Sequence, residues 1–227
     1  MSDLSVLLRS ILPDARTEVV PIVAEPEVKL ELLEDLCFRR PLTELEVNAA
    51  WESPPYWAFC WASGRALAQF IGQNPKLFQG KTVIDLGAGS GVVGIAAAKV
   101  GASVICCDLD PDALTAVRSN SLLNGIHCEP TDGYPAAGAI ALSKSLDATP
   151  RADILVAADV LYDPENLPLL DLFTDKALEV WVGDSRIRNF NHARFTKVDE
   201  IASVTLPDLD ELEIHRRVSI YYSGPGN

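Results

Sequence analysis

The sequence predicts an α/β domain of the doubly wound kind: a mostly parallel, seven-stranded sheet covered by helices and preceded by an N-terminal extension. Three observations carry that expectation. From Lys81 onward, short apolar runs alternate with stretches of helical character; the first run ends in a glycine cluster that opens a helix; and the second run ends in a carboxylate, Asp108.

Taken in order, the extension (residues 1–80) holds accessory elements: a short helix over residues 5–12, an alternating segment over 28–32, and a capping-box pattern, Thr43-Glu44-Leu45-Glu46. The core (residues 81–227) begins with the run Thr82-Val83-Ile84, a helix from Val92 to Val100, and a second run at 103–107, which together make a βαβ unit. Asp110 suits the N-cap and Pro111 the first turn of a further helix that Asn124-Gly125 stops. Strands are expected at 126–130, 152–158 and 179–183, and a closing antiparallel pair at 202–206 and 218–222. The stretch 131–150, rich in Gly, Ala, Ser, Thr and Pro, reads as a surface insertion.

A chain of 227 residues that is 48% hydrophobic fits one domain. No apolar run approaches the roughly 20 residues of a membrane-spanning helix. Its start lacks the basic lead-in and apolar block of a secretory signal, so a cytoplasmic location is the expectation. The five cysteines, Cys37, Cys60, Cys106, Cys107 and Cys128, include no pair at metal-knuckle or redox spacing, so no metal is expected; Cys106 and Cys107 read as small buried hydrophobes. With 19 basic against 32 acidic residues, a formal charge of -13 disfavours a phosphate backbone as partner. An acidic surface suits a cationic protein partner, and it equally serves solubility.

The chemistry concentrates in Val83-Ile84-Asp85-Leu86-Gly87-Ala88-Gly89-Ser90-Gly91-Val92-Val93-Gly94, a strand, glycine turn and helix start. Such glycines let the backbone approach a nucleotide and aim helix amides at it. Gly89, Gly91 and Gly94 also satisfy the dinucleotide fingerprint, so this segment alone does not separate a nicotinamide cofactor from S-adenosylmethionine. Asp108 stands where a doubly wound fold places a ribose-binding carboxylate, whereas Asp110 reads as the helix cap. His127, His192 and His215 are scattered and suggest no hydrolytic triad.

Asp85, together with the long segment ahead of the glycine strand, turns the comparison. Asp85-Leu86-Gly87-Ala88-Gly89-Ser90-Gly91 resembles the first motif of the seven-β-strand methyltransferases, whose fold is Rossmann-like. Ala158-Asp159-Val160-Leu161-Tyr162 is similar to the acidic-x-x-aromatic motif of their protein lysine methyltransferase group, and Pro55-Tyr56-Trp57-Ala58-Phe59-Cys60-Trp61-Ala62-Ser63-Gly64 to the Trp-containing segment upstream. The whole, from about Pro26 to Tyr222, resembles the lysine methyltransferases of the electron transfer flavoprotein β subunit and their bacterial relatives.

That resemblance implies S-adenosylmethionine as cofactor and a lysine-bearing protein as partner, the electron transfer flavoprotein β subunit among the candidates. By position it implies that Gly87, Gly89 and Gly91 bound the methionine part of the cofactor while Asp85 supports the loop. Asp108 would hold the ribose with Leu109 beside it, Asp132 would lie near the adenine, Ala158 would line the methionine side, and Trp61, or alternatively Trp57, would border the adenosine. Asp159 and Tyr162 would serve the acceptor, Asp159 by positioning the lysine nitrogen and Tyr162 by lining its channel; the competing role for Asp159 is a cap for the next segment. Three other readings stay open from the sequence: a small-molecule N-methyltransferase, a noncatalytic binding protein that keeps the cofactor fold, and a nicotinamide-dependent oxidoreductase, which would need a hydride-transfer constellation not evident after Asp108.

Overall fold

The computed structural model describes residues 3–37, 39–128, 133–161, 164–187 and 190–225. Helix α1 (Asp3–Ile11) buries Leu4, Leu8 and Ile11, a single apolar stripe. Strands β1 (Thr17–Val23) and β2 (Val28–Leu33) form an antiparallel hairpin whose Val28, Leu30 and Leu32 are wholly buried. Helix α2 (Glu44–Glu52) starts at the capping box of Thr43 and Glu46. Arg40 pairs with Glu46, and its hydrogen bonds, with those from Thr43, hold the Glu46 carboxyl down at about 2.

Helix α3 (Ala62–Gln73) and the short α4 (Pro75–Phe78) lead into β3 (Thr82–Leu86), α5 (Val92–Lys99), β4 (Ser103–Cys107) and α6 (Pro111–Leu123). Then come β5 (Ile140–Ser143), β6 (Ala152–Ala158), α7 (Leu169–Lys176), β7 (Ala177–Asp184), β8 (Thr196–Ala202) and β9 (Arg217–Ser223). The main sheet has seven strands in the order β5-β4-β3-β6-β7-β9-β8. Its first five are parallel, and β9 runs antiparallel to both β7 and β8.

Alternation along the central strands fills both faces. Val83, Val104, Cys106, Ile154 and Val156 join Leu67, Ile71, Ile95 and Ala96 of α3 and α5 in one core cluster; Ile84, Cys107, Leu155 and Ala157 join Leu170 and Phe173 of α7 in another. This is a mostly parallel doubly wound sheet, as the sequence predicts. From β3 the chain winds outward to β4 and β5, then returns to place β6 on the other side of β3. The β3–β6 boundary is therefore the switch point, where ligands of open α/β sheets bind beyond the carboxyl ends of the strands.

Three expectations need correction. The segment 131–150 is not merely a surface insertion, because it contains β5, whose Ile140 and Ala141 are buried against β4. The strand expected at 126–130 is represented among the described residues only by a bridge from Cys128 to Ile140. Four-residue β5 is short and sits among Gly, Ser and Thr, so its local composition reads as loop while its pairing with β4 makes it strand. Likewise the strand expected at 202–206 lies at 196–202, where six of seven positions are exposed and the apolar signal is absent; Leu206 makes only an isolated bridge to Cys60.

Candidate functional site

At the carboxyl end of β3, Gly87, Gly89 and Gly91 have φ of 69°, 52° and 86°, the left-handed region that glycine enters without a Cβ penalty. A Cβ on Gly87 would stand 2.7 Å from Val160 Cγ1, so the β3 loop and the segment after β6 approach closely at the switch point. Gly91 is the N-cap of α5. Gly94 lies one turn inside that helix, and any Cβ there would overlap the Cys106 thiol of β4. The third glycine of the apparent dinucleotide fingerprint thus serves helix-on-sheet packing.

Asp85 is buried beneath the loop, and its Oδ2 accepts the Gly94 amide at 2.8 Å. Burial pushes its carboxyl up to about 7, with the Gly94 hydrogen bond opposing and the negative charge of Asp108 adding. Asp85 thus ties strand to helix from inside. Asp108, half-buried at the end of β4, accepts the Gly89 amide through Oδ2 at 2.9 Å and the Asp110 amide through Oδ1 at 3.0 Å. Asp110 is the N-cap of α6 and accepts the Asp112 amide at 2.8 Å. Leu109 between them is 86% exposed.

Asn120 gives no signal in the sequence, yet it is fully buried and braces the loop from behind. Its Nδ2 donates to the Ser90 carbonyl at 2.9 Å, and its Oδ1 accepts the Glu31 amide of β2 at 2.8 Å. A polar residue on an otherwise ordinary helix face is marked only by the tertiary partners it meets.

Across the switch point, Ala158 ends β6 half-buried, and Asp159 follows with φ of 53°, one of two described non-glycine residues at positive φ. Its oxygens both face Ser63: Oδ1 accepts the Ser63 hydroxyl at 2.6 Å and Oδ2 the Ser63 amide at 3.1 Å. Asp159 thus caps a helix, and that helix is α3, far upstream. Burial pushes its carboxyl up to about 6; the Ser63 hydroxyl opposes, and Asp184 at the end of β7 adds. Asp184 Oδ1 accepts the amides of Arg186 and Ile187.

The structure separates the tryptophans. Trp57 is 2% exposed and packs with Leu4, Leu8 and Ala116 in the N-terminal core. Trp61 is half-buried and N-terminal to α3, with its indole N–H donating to the Tyr56 carbonyl at 2.9 Å and the Arg186 guanidinium 5.9 Å from its ring centroid. Arg186 in turn pairs with Glu211, which accepts the Thr205 hydroxyl at 2.6 Å; Thr205 accepts the Ala62 amide at 3.2 Å. Asp132 and Tyr162 lie outside the described residues.

A nucleotide-type cofactor fits this arrangement. The loop presents bare backbone, with no atom nearer than 3.9 Å to the Cβ position of Gly89, and Asp108 offers a carboxylate at its edge, each oxygen retaining acceptor capacity after one amide bond.

The model of the ribosomal protein L11 methyltransferase (PrmA) family matches residues 69–164. The electron transfer flavoprotein beta subunit lysine methyltransferase of Mus musculus is 32% identical over 83% of this chain and 72% of its own length. Its Xenopus laevis counterpart is 33% identical over 85% and 76%. Among solved structures, magnesium protoporphyrin IX methyltransferase from Synechocystis with bound SAH superposes with a TM-score of 0.51 at 10% identity, covering 81% of this chain and 88% of that one, a likeness of fold.

Proposed function

We propose an acceptor and a division of roles for this chain on the premise that it belongs to the electron transfer flavoprotein β subunit lysine methyltransferase family and is an S-adenosylmethionine-dependent protein-lysine methyltransferase. The acceptor is a lysine of a protein, the electron transfer flavoprotein β subunit or one that presents a similar surface. The observation that carries the reading is the meeting of the β3 glycine loop and Asp159 at the β3–β6 switch point, where Gly87 and Val160 come within contact. When bound, S-adenosylmethionine supplies a methyl group activated on a sulfonium.

The chain's own residues supply binding and orientation. The backbone of Gly87, Gly89 and Gly91 bounds the methionine part, Ala158 lines its far side, and Asp85 keeps the loop joined to α5. Asp108 accepts from the ribose hydroxyls, with Leu109 beside it and Trp61 toward the adenosine. Asp132 near the adenine and Tyr162 in the acceptor channel complete the assignment. Asp159 accepts a hydrogen bond from the acceptor nitrogen and holds it in line for transfer, the orientation term that dominates when no strong base is required. The formal charge of -13 favours approach of a basic acceptor surface.

Incubation with methyl-labelled S-adenosylmethionine, first with purified electron transfer flavoprotein β subunit and then with a cell lysate, tests this. Label on a lysine of the β subunit, or of another protein, is the expected result. Label confined to a small metabolite overturns the protein acceptor.

A further inference from the structure

We propose that Ser63 is a positioning residue for methyl transfer: from the first turn of α3, its hydroxyl and its amide together orient the Asp159 carboxylate toward the acceptor nitrogen. This rests on the role given to Asp159 above. Ser63 is wholly buried, and it donates to both oxygens of one carboxylate, at 2.6 Å from the hydroxyl and 3.1 Å from the amide. A single donor leaves a carboxylate free to turn about its bond, whereas two donors from one residue fix its plane. Each oxygen keeps a further lone pair for an incoming N–H.

Ser63 is itself tightly seated. A Cβ on Gly183 would lie 3.1 Å from the Ser63 carbonyl, so the absence of a side chain in β7 is what lets α3 come this close. On the other side a Cβ on Gly64 would lie 3.1 Å from Val92 Cγ1 of α5. The preceding amide, that of Ala62, is held by Thr205. The backbone of Asp159 is fixed as well, its amide donating to the Gly183 carbonyl at 3.2 Å.

The N-cap residue of α3 is Trp61, whose side chain makes no cap hydrogen bond, and the helix draws its cap from a residue 96 positions later at the mouth of the switch-point crevice. Other charges face Asp159 from the elements around it: Asp184 at the end of β7 favours its neutral form, and Arg186 beyond β7 favours its charged form. Cys60, just ahead of Trp61, has its thiol pushed up to about 12 by burial and stays neutral.

The test is single-turnover methylation of the protein acceptor over about pH 5.5–9, with cofactor titration and thermal unfolding of each variant. Ser63→Ala should leave cofactor affinity within about twofold and slow transfer about tenfold at neutral pH, the scale of one hydrogen bond to a charged group. Its acid limb should move to higher pH, since the ionised carboxylate loses a donor. Ser63→Cys, nearly isosteric but a weak donor, should fall between, and it keeps the test open should Ser63→Ala not fold. In an Asp159→Asn background the Ser63 substitutions should add nothing. The proposal is overturned if Asp159→Asn slows transfer while the Ser63 variants leave the pH profile unmoved, or if the two effects add in full. Unchanged transfer in Asp159→Asn itself is a separate outcome, which removes the role assigned to Asp159 and this one with it.

Discussion

On the β3 side of the crevice, carboxylates are held by residues near them in sequence: Asp85 by Gly94, nine positions on, and Asp108 by Gly89, 19 positions back, and by Asp110, two positions on. On the β6 side the spans are long, with Asp159 held by Ser63 across 96 positions and the Ala62 amide by Thr205 across 143. The first half is a strand, a loop and a helix that carry their own geometry. The second comes into being only when α3, β6 and the segment after β8 have docked on one sheet, because those contacts close long loops before they return any stabilisation. The first arrangement is a contiguous motif; the second is assembled from segments distant in sequence.

The contrast predicts where damage is most severe. Gly94→Val forces side-chain atoms into Cys106 and Asp85 beneath the loop, and should cost about 3 kcal/mol or more, the upper end for overpacking, with cofactor binding lost alongside. Chemical denaturation with the slope held fixed measures it; a variant as stable as the parent would show that the β3 unit tolerates repacking.

Next in size is Asp85→Asn. Because burial raises the folded-state value of Asp85 to about 7, folding favours its protonated form, and its contribution is present at acid pH and lost as pH rises through about 7. The amide is neutral throughout and retains an acceptor for Gly94. Relative to the parent, the variant should therefore gain about 2–4 kcal/mol between pH 4 and pH 8. Parallel stability–pH curves would contradict a desolvated carboxylate there. Glu46 runs the other way, since its value is lowered from 4.5 to about 2 by Arg40 and Thr43, and its contribution is present above the ordinary value and lost as pH falls from there through about 2.

The same contrast explains what the sequence discloses. The β3–α5–β4 unit, the Asp110 cap and the Thr43–Glu46 box are legible because each is a short pattern with a local physical cause. Strands β3, β4, β6 and β7 are legible as short apolar runs in the sequence. Strand β5 and the true span of β8 are not legible, since one is four residues in a glycine- and serine-rich context and the other is an exposed strand without apolar alternation. Nor are Ser63 and Asn120, a serine and an asparagine whose significance lies wholly in partners distant in sequence, Asp159 for the first and Glu31 and Ser90 for the second. Trp57 and Trp61 are equivalent as letters, and only packing assigns one to the N-terminal core and sets the other, half-buried, beside Arg186.

A smaller effect separates two neighbouring acids within the β3 half. Asp108→Ala should weaken S-adenosylmethionine binding by about 1.5–3 kcal/mol with the fold retained, the range for charge-assisted hydrogen bonds. Asp110→Ala should cost about 1 kcal/mol of stability as a lost cap on α6 and leave binding nearly intact. Calorimetric titration beside thermal unfolding distinguishes them, and exchanged phenotypes would reverse the two roles.

The division of labour between the halves is tested most directly by Asp159→Asn, assayed at once for cofactor affinity and for single-turnover methyl transfer to the protein acceptor. Cofactor affinity should stay within about twofold while transfer slows and acceptor binding weakens, because the amide keeps the shape and loses the charge that faces the lysine nitrogen. Loss of cofactor affinity with transfer unchanged at saturating cofactor would place Asp159 in the wrong half and contradict the account.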